Sequence, residues 1–226
     1  GDEVVVVDRL GEPLCQRALK IREQVLGPEH SNTASSLNNL AALYHAMGEY
    51  AKAEPLCERA LRISEQVLGA EHPDTATSLT GLANLYQLMG DYAKAEPLYE
   101  RALKICEKVL GPEHPDSARS LNNLAELYHS MGDHAKAEPL YERALKISEK
   151  VLGSEHPTTA TGLNNVAGLY DAIGDCAKAE PLYERALKIR EKVLGPEHPD
   201  TAGSLNNLAG VYVSMGDCAK AEPLYE

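Results

Sequence analysis

The stretch LANLYQLMGDYAKAEPLYERAL, Leu82–Leu103, holds two helical patterns separated by one glycine. Leu79, just upstream, joins Leu82, Ala83 and Tyr86 at i, i+3, i+4 and i+7, an apolar stripe with α-helical period. Beyond Gly90, the residues Ala95, Leu98, Tyr99, Ala102, Ile105 and Val109 form a second stripe of the same spacing. Glycine enters the left-handed conformation cheaply, so Gly90 reads as a helix stop. The short turn predicts two antiparallel neighbours, helix A of about 15 residues and helix B of about 18.

The pattern recurs with a period of 42 residues. Leu37, Leu79, Leu121, Leu163 and Leu205 occupy one position, and Gly48, Gly90, Gly132, Gly174 and Gly216 another. Glu-His pairs end at His30, His72, His114, His156 and His198. A fixed period of this size marks a repeat array. Neither helix can bury its stripe alone, so successive pairs must stack into one continuous core. The segment GPEHPD, Gly111–Asp116, punctuates the repeats, with Asp116 expected as N-cap of the next helix A. The prediction is an all-α solenoid of antiparallel helix pairs. Residues 1–8 are expected to be an irregular tail, and 9–226 a single array. It contains an unpaired helix B at 9–26, repeats starting near 32, 74, 116, 158 and 200, and a last helix B cut short.

KAEPLYERALKI, Lys94–Ile105, sets a local problem, because Pro97 supplies no donor to the carbonyl of Ala93. With Asp91 as N-cap, the first turn of helix B is expected to be kinked or loosened. Regular helix should then run from about Pro97.

Composition narrows the function. The net charge of −12 argues against nucleic acid and against an anionic membrane surface. No apolar run approaches the ~20 residues that span a bilayer. The start GDEVVVVDR has no basic n-region, which favours the cytoplasm. Five cysteines without a C-x-x-C do not form a disulfide framework. With neither Phe nor Trp, the core must be built from Leu, Ala, Val, Ile and Tyr.

Leu82, Ala83, Tyr86, Gly90-Asp91-Tyr92, Ala95, Tyr99 and Ala102 resemble the tetratricopeptide repeat, with Leu79 at that family's tryptophan-like position and Ala83 at its usual glycine. The longer period, with the segment ALKIREKVLGPEHPDTA (Ala186–Ala202), is similar to kinesin light chains. The resemblance implies a right-handed superhelix whose helices A line a concave peptide-binding groove. Helical geometry then turns Asn38, Asn122, Asn164 and Asn206 to that side, with Thr80 interrupting the ladder. Two readings of the ladder stand: amide contacts to a peptide backbone, or bridges that hold neighbouring helices in register. Around it lie His45, Asn84, Gln87, Arg119, Glu126, His129 and Asp171, expected to decide the partner. Chaperone-tail-binding relatives clamp a carboxylate with Lys or Arg at the ladder position, and kinesin light chains take acidic cargo peptides. Arg119 is the sole cation among these groove residues, so neither specificity carries over.

Chemistry finds little support. The loop histidines belong to different repeats, spaced by a helix-packing distance of about 8–10 Å, too far apart to share a zinc ion. They are expected to cap or pack the loops. Glu100–Lys104, Glu142–Lys146 and Glu184–Lys188 read as solvated i,i+4 pairs. Cys15 and Cys57 stand in the slot of Tyr99 and are expected in the core, whereas Cys106 is expected on an outer face. No phosphate-binding loop or nucleophile elbow is present, and neither an enzyme nor a cofactor is expected. The leading expectation is a protein-interaction scaffold. The alternatives are a regulatory section of a larger signalling ATPase or other enzyme, and an array that associates head to tail through apolar ends.

Overall fold

The computed structural model describes residues 2–225, with side chains over residues 11–224, and every regular element among them is an α-helix. Helix α1 spans Asp2–Val25. The helices A are α2 (Ser31–Ala46), α4 (Pro73–Leu88), α6 (Pro115–Ser130), α8 (Pro157–Ala172) and α10 (Pro199–Ser214). The helices B are α3 (Tyr50–Val67), α5 (Tyr92–Val109), α7 (His134–Leu152), α9 (Cys176–Leu194) and α11 (Cys218–Tyr225). The chain is thus an all-α array of helix pairs. Packing gathers it into two compact units, Gly1–Pro112 with α1–α5 and Glu113–Glu226 with α6–α11.

In the first unit each pair turns on a left-handed glycine. Gly90 has φ +77°, and Asp91 N–H reaches back to the Tyr86 carbonyl at 2.8 Å, closing the end of α4. Small residues let the helices approach: Ala34, Leu37, Ala60 and Ile63 form one core layer, and Ala76, Leu79, Ala102 and Ile105 another. Buried Thr75 ties the loop before α4 by donating to the Gly69 carbonyl at 2.8 Å. Arg59 joins Glu23 at 2.7 Å, and Arg101 joins Glu65 at 2.5 Å, each linking one helix B to its predecessor. The second unit repeats this grammar, with Ala160, Leu163, Ala186 and Ile189 as a core layer and an Arg185–Glu149 pair at 2.7 Å.

Several expectations are corrected. The stretch 1–8 is helical from Asp2 onward, as part of α1. No proline intervenes before Pro13. Helix α5 begins at Tyr92, not Pro97. Asp91 holds its first turn: the carbonyl accepts from Lys94 and Ala95 N–H at 3.1 Å, and the side chain accepts from Lys94 N–H at 3.4 Å. The N-caps of helices A are the loop histidines rather than the following Asp. His114 Nδ1 accepts from Asp116 N–H at 3.1 Å, and His30, His72, His156 and His198 do the same for their helices. Cys106 is 5 % exposed and packs in the layer of Ala76 and Leu79. A helix B packs against its own helix A and, as in α3 and α9, against the next, so its buried arc is wider than one stripe.

Candidate functional site

The residues singled out on helices A have distinct surroundings. In the first unit Asn38 is half-buried, and its Nδ2 donates to Ser78 Oγ of the next helix A at 3.2 Å. Its Oδ1 is buried without a hydrogen-bond partner. Thr80 turns back on its own helix and donates to the Ala76 carbonyl at 2.9 Å. Asn84 and Gln87 converge on one group, the Tyr99 hydroxyl, which lies against Asn84 Oδ1 and 2.9 Å from Gln87 Oε1. His45 is half-buried, with its ring edge-on to Tyr50 at 6.1 Å.

In the second unit Arg119 is exposed and pairs with Asp116 at 3.0 Å. Asn122 Oδ1 is buried without a partner. The exposed Glu126 carboxylate accepts from the Tyr141 hydroxyl at 2.5 Å. His129 meets His134 edge-on at 5.4 Å. Asp171 is half-buried and, after burial itself, is the cause that pushes the Tyr183 hydroxyl up to about 12. Asn206 is exposed. With its amide oriented to satisfy the network, Asn164 accepts from Arg190 Nη1 at 2.6 Å and lies 3.3 Å from Ser204 Oγ.

Asn38 and Asn164 thus bond to partners on adjacent elements, while Asn84, Gln87 and Glu126 are brought onto buried tyrosines. The sequence reading missed these tyrosines as site elements. Tyr99 and Tyr141 are each 1 % exposed, yet their hydroxyls end on the solvent-facing side of helix A. The available signal was a polar residue 15 positions before each tyrosine. Arg190 was missed too. It is buried, donates to the Asp200 carbonyl at 3.0 Å and to Ser204 Oγ at 2.8 Å, and stands in a lysine- and glutamate-rich segment that reads as surface. Arg22 does the same with the Asn32 carbonyl and Ser36. Glu142 and Glu184, read as solvated, accept from Tyr170 and Tyr212 of the following helices A.

Clefts open between neighbouring helices. One of about 230 Å³ in the first unit is bounded by Asn38, Ala42, His45, Cys57 and Asn84. One of about 430 Å³ in the second lies among Arg119, Asn122, Ser148 and Thr161. Burial pushes the Cys57 thiol up to about 11, which keeps it protonated and a poor nucleophile. Among the described residues no group of His, Cys, Asp and Glu could hold a metal ion, and no helix is long and apolar enough to cross a membrane.

The paired helices, glycine turns and stacked alanine–leucine layers define an interaction-repeat solenoid. The tetratricopeptide repeat family model matches residues 9–54, 33–108, 79–150, 116–192 and 159–226, and the chain belongs to that family. It carries the kinesin-light-chain-like form of the repeat. BtubC (BKLC) from P. vanneervenii is similar in structure, with TM-score 0.79 and 29% identity over 98% of this chain and 87% of that one. A Podosopora anserina protein of nearly identical TPR-like repeats, assigned as a kinesin light chain, has TM-score 0.75 and 33% identity over 87% of this chain and 93% of that one. RapI in its apo form shares the fold, with TM-score 0.66 and 18% identity over 85% of this chain and 53% of that one. Comparison with curated protein sequences finds no significant match.

Proposed function

We propose that the chain is a protein-interaction scaffold that receives a partner segment on the open face of its helices A. The observation that carries this reading is the Tyr141–Glu126 hydrogen bond: a buried ring fixes a carboxylate that stands in solvent. The Tyr99 hydroxyl holds Asn84 Oδ1 in the same way, with Gln87 Oε1 2.9 Å from it. Polar groups held in place before a partner arrives lose little freedom on binding, which is how such a surface gains affinity. Within the second unit the residue in this register also changes, from Glu126 to Gly168, so a non-repeating partner can be read. Arg119, His129 and Asp171 supply the remaining distinctions.

A selection of displayed peptides against the purified chain tests the reading. Binding of a selected peptide should fall in the double variant Arg119→Ala, His129→Ala while the melting temperature holds. Selection that yields no peptide, or peptides indifferent to this variant and to Asn84→Ala, would refute it. A second reading rests on α1, where Leu14 is 67% exposed and Val25 75% exposed. It is association between copies through that apolar face. A mass that stays monomeric over a wide concentration range in light scattering excludes it.

A further inference from the structure

The array contains its own template for a guest. Position 57 is a cysteine, and the same position one and two periods later carries Tyr99 and Tyr141. Those rings are almost fully buried, and their hydroxyls end on polar partners supplied by helix A. In the pair α2–α3 both parts of that arrangement are reduced. Cys57 replaces the ring, and Ala42 replaces the residue equivalent to Asn84. The space is left as the cleft of about 230 Å³, with Ala41, Ala42, Ala53, Cys57 and Leu85 among its walls. Its α4 side is open as well, because a Cβ added at Gly81 would meet nothing within 4 Å. At the mouth stands His45, in the register of Gln87, which meets the Tyr99 hydroxyl.

We propose that this cleft takes one phenol-bearing side chain, a tyrosine of the partner segment, whose ring fills the place that Tyr99 fills in the next repeat and whose hydroxyl bonds to His45. Three observations set that chemistry. The lining contains no acidic or Lys/Arg side chain, so a charged guest would lose its hydration without a counter-charge. The cleft is larger than the apolar cavity of ~150 Å³ that suffices to hold a benzene ring. And the repeat itself accepts a tyrosine ring in this register with helices of the same length. The inference rests on the scaffold reading only for the owner of the ring; the cleft itself stands without it.

The probe is p-cresol, titrated into the full chain with methyl-labelled alanine and followed by NMR. Saturable shifts should concentrate on Ala41, Ala42 and Ala53, and toluene should bind more weakly. Cys57→Tyr supplies the missing ring from within, in a residue the fold already uses at this position, and should weaken p-cresol binding about tenfold or more. Ala42→Leu closes the cleft from the other wall and decides the matter if Cys57→Tyr melts below the parent chain. His45→Leu should erase the preference for p-cresol over toluene. Absence of saturable shifts, equal binding in both filled variants, or toluene binding as tightly as p-cresol overturns the proposal. The titration uses no partner, so failure of the scaffold reading would show in the peptide selection and leave this result unchanged.

Discussion

The Tyr141 hydroxyl donates to Glu126 Oε2 across 2.5 Å, joining a ring that is 1 % exposed to a carboxylate in solvent. Burial, and next the hydrogen bond to Glu126, raise the Tyr141 ionisation well above the ordinary range for tyrosine. Replacing Tyr141 by Phe keeps the packing and removes one hydrogen bond to a charged group, so the expected loss is about 1–3 kcal/mol in chemical denaturation. A variant as stable as the parent would show that the bond contributes nothing.

Alkaline pH should destabilise the chain through its buried tyrosines. Tyr86 and Tyr183 are pushed up to about 12, mainly by burial, and Tyr170 to about 12, mainly by its bond from the hydroxyl to Glu138. An unfolded tyrosine titrates at about 10. The folded state therefore favours the neutral form; its contribution is complete below about pH 10 and is lost as pH rises through the folded values. Melting temperature should fall steadily above about pH 10, with most tyrosinate absorbance appearing only on unfolding. Full tyrosine ionisation in a chain that stays helical near that pH would contradict this.

The histidine caps predict a substitution order. His114 Nδ1 accepts from Asp116 N–H at 3.1 Å, so His114→Ala should cost about 1 kcal/mol and His114→Asn should recover most of it. Equal melting temperatures for the two variants would deny the cap its role.

Pro97 lies inside α5, where it withholds a donor from the Ala93 carbonyl. Pro97→Ala restores that donor but frees the unfolded chain, and the expected balance is a gain of about 1–2 kcal/mol. A lower melting temperature in Pro97→Ala would mean that the proline is required by its surroundings.

Ser148 stands one period before Arg190, and Gly162 one period before Ser204. Installing both side chains one period earlier, by Ser148→Arg with Gly162→Ser, should reproduce the Arg190–Ser204 contact beside the cleft of about 430 Å³. A Cβ at Gly162 meets Leu145 Cδ1 at 3.2 Å, a contact the flexible end of that side chain can relieve. The double variant should exceed the sum of the singles by about 0.5–3 kcal/mol in a mutant cycle, and additive effects would refute the contact.

The architecture was legible because burial imposes a strict period: Leu79, Leu121 and Leu163 are all fully buried, and glycine at 90, 132 and 174 is needed wherever φ is positive. Periodicity does not report hydrogen bonding. His114 was readable as a loop residue, but whether it or Asp116 holds the cap depends on which one has extended backbone, and His114 has φ −75° and ψ 145°. Cys106 was misplaced because a single stripe underestimates the arc that a helix B buries. The site was legible only as a set of outward positions. That Tyr99 reaches Asn84 and Tyr141 reaches Glu126 depends on side chains crossing between helices, which no one-helix projection contains.

The contacts between repeats have one more property. The Lys108–Glu71 pair spans 37 residues, Arg101–Glu65 spans 36, Asn38–Ser78 spans 40 and Tyr86–Glu58 spans 28. Each is shorter than the 42-residue period. Excising or duplicating one whole period therefore rejoins matching partners at the seam, and total length becomes a quantity that can change in steps without any new side chain being invented.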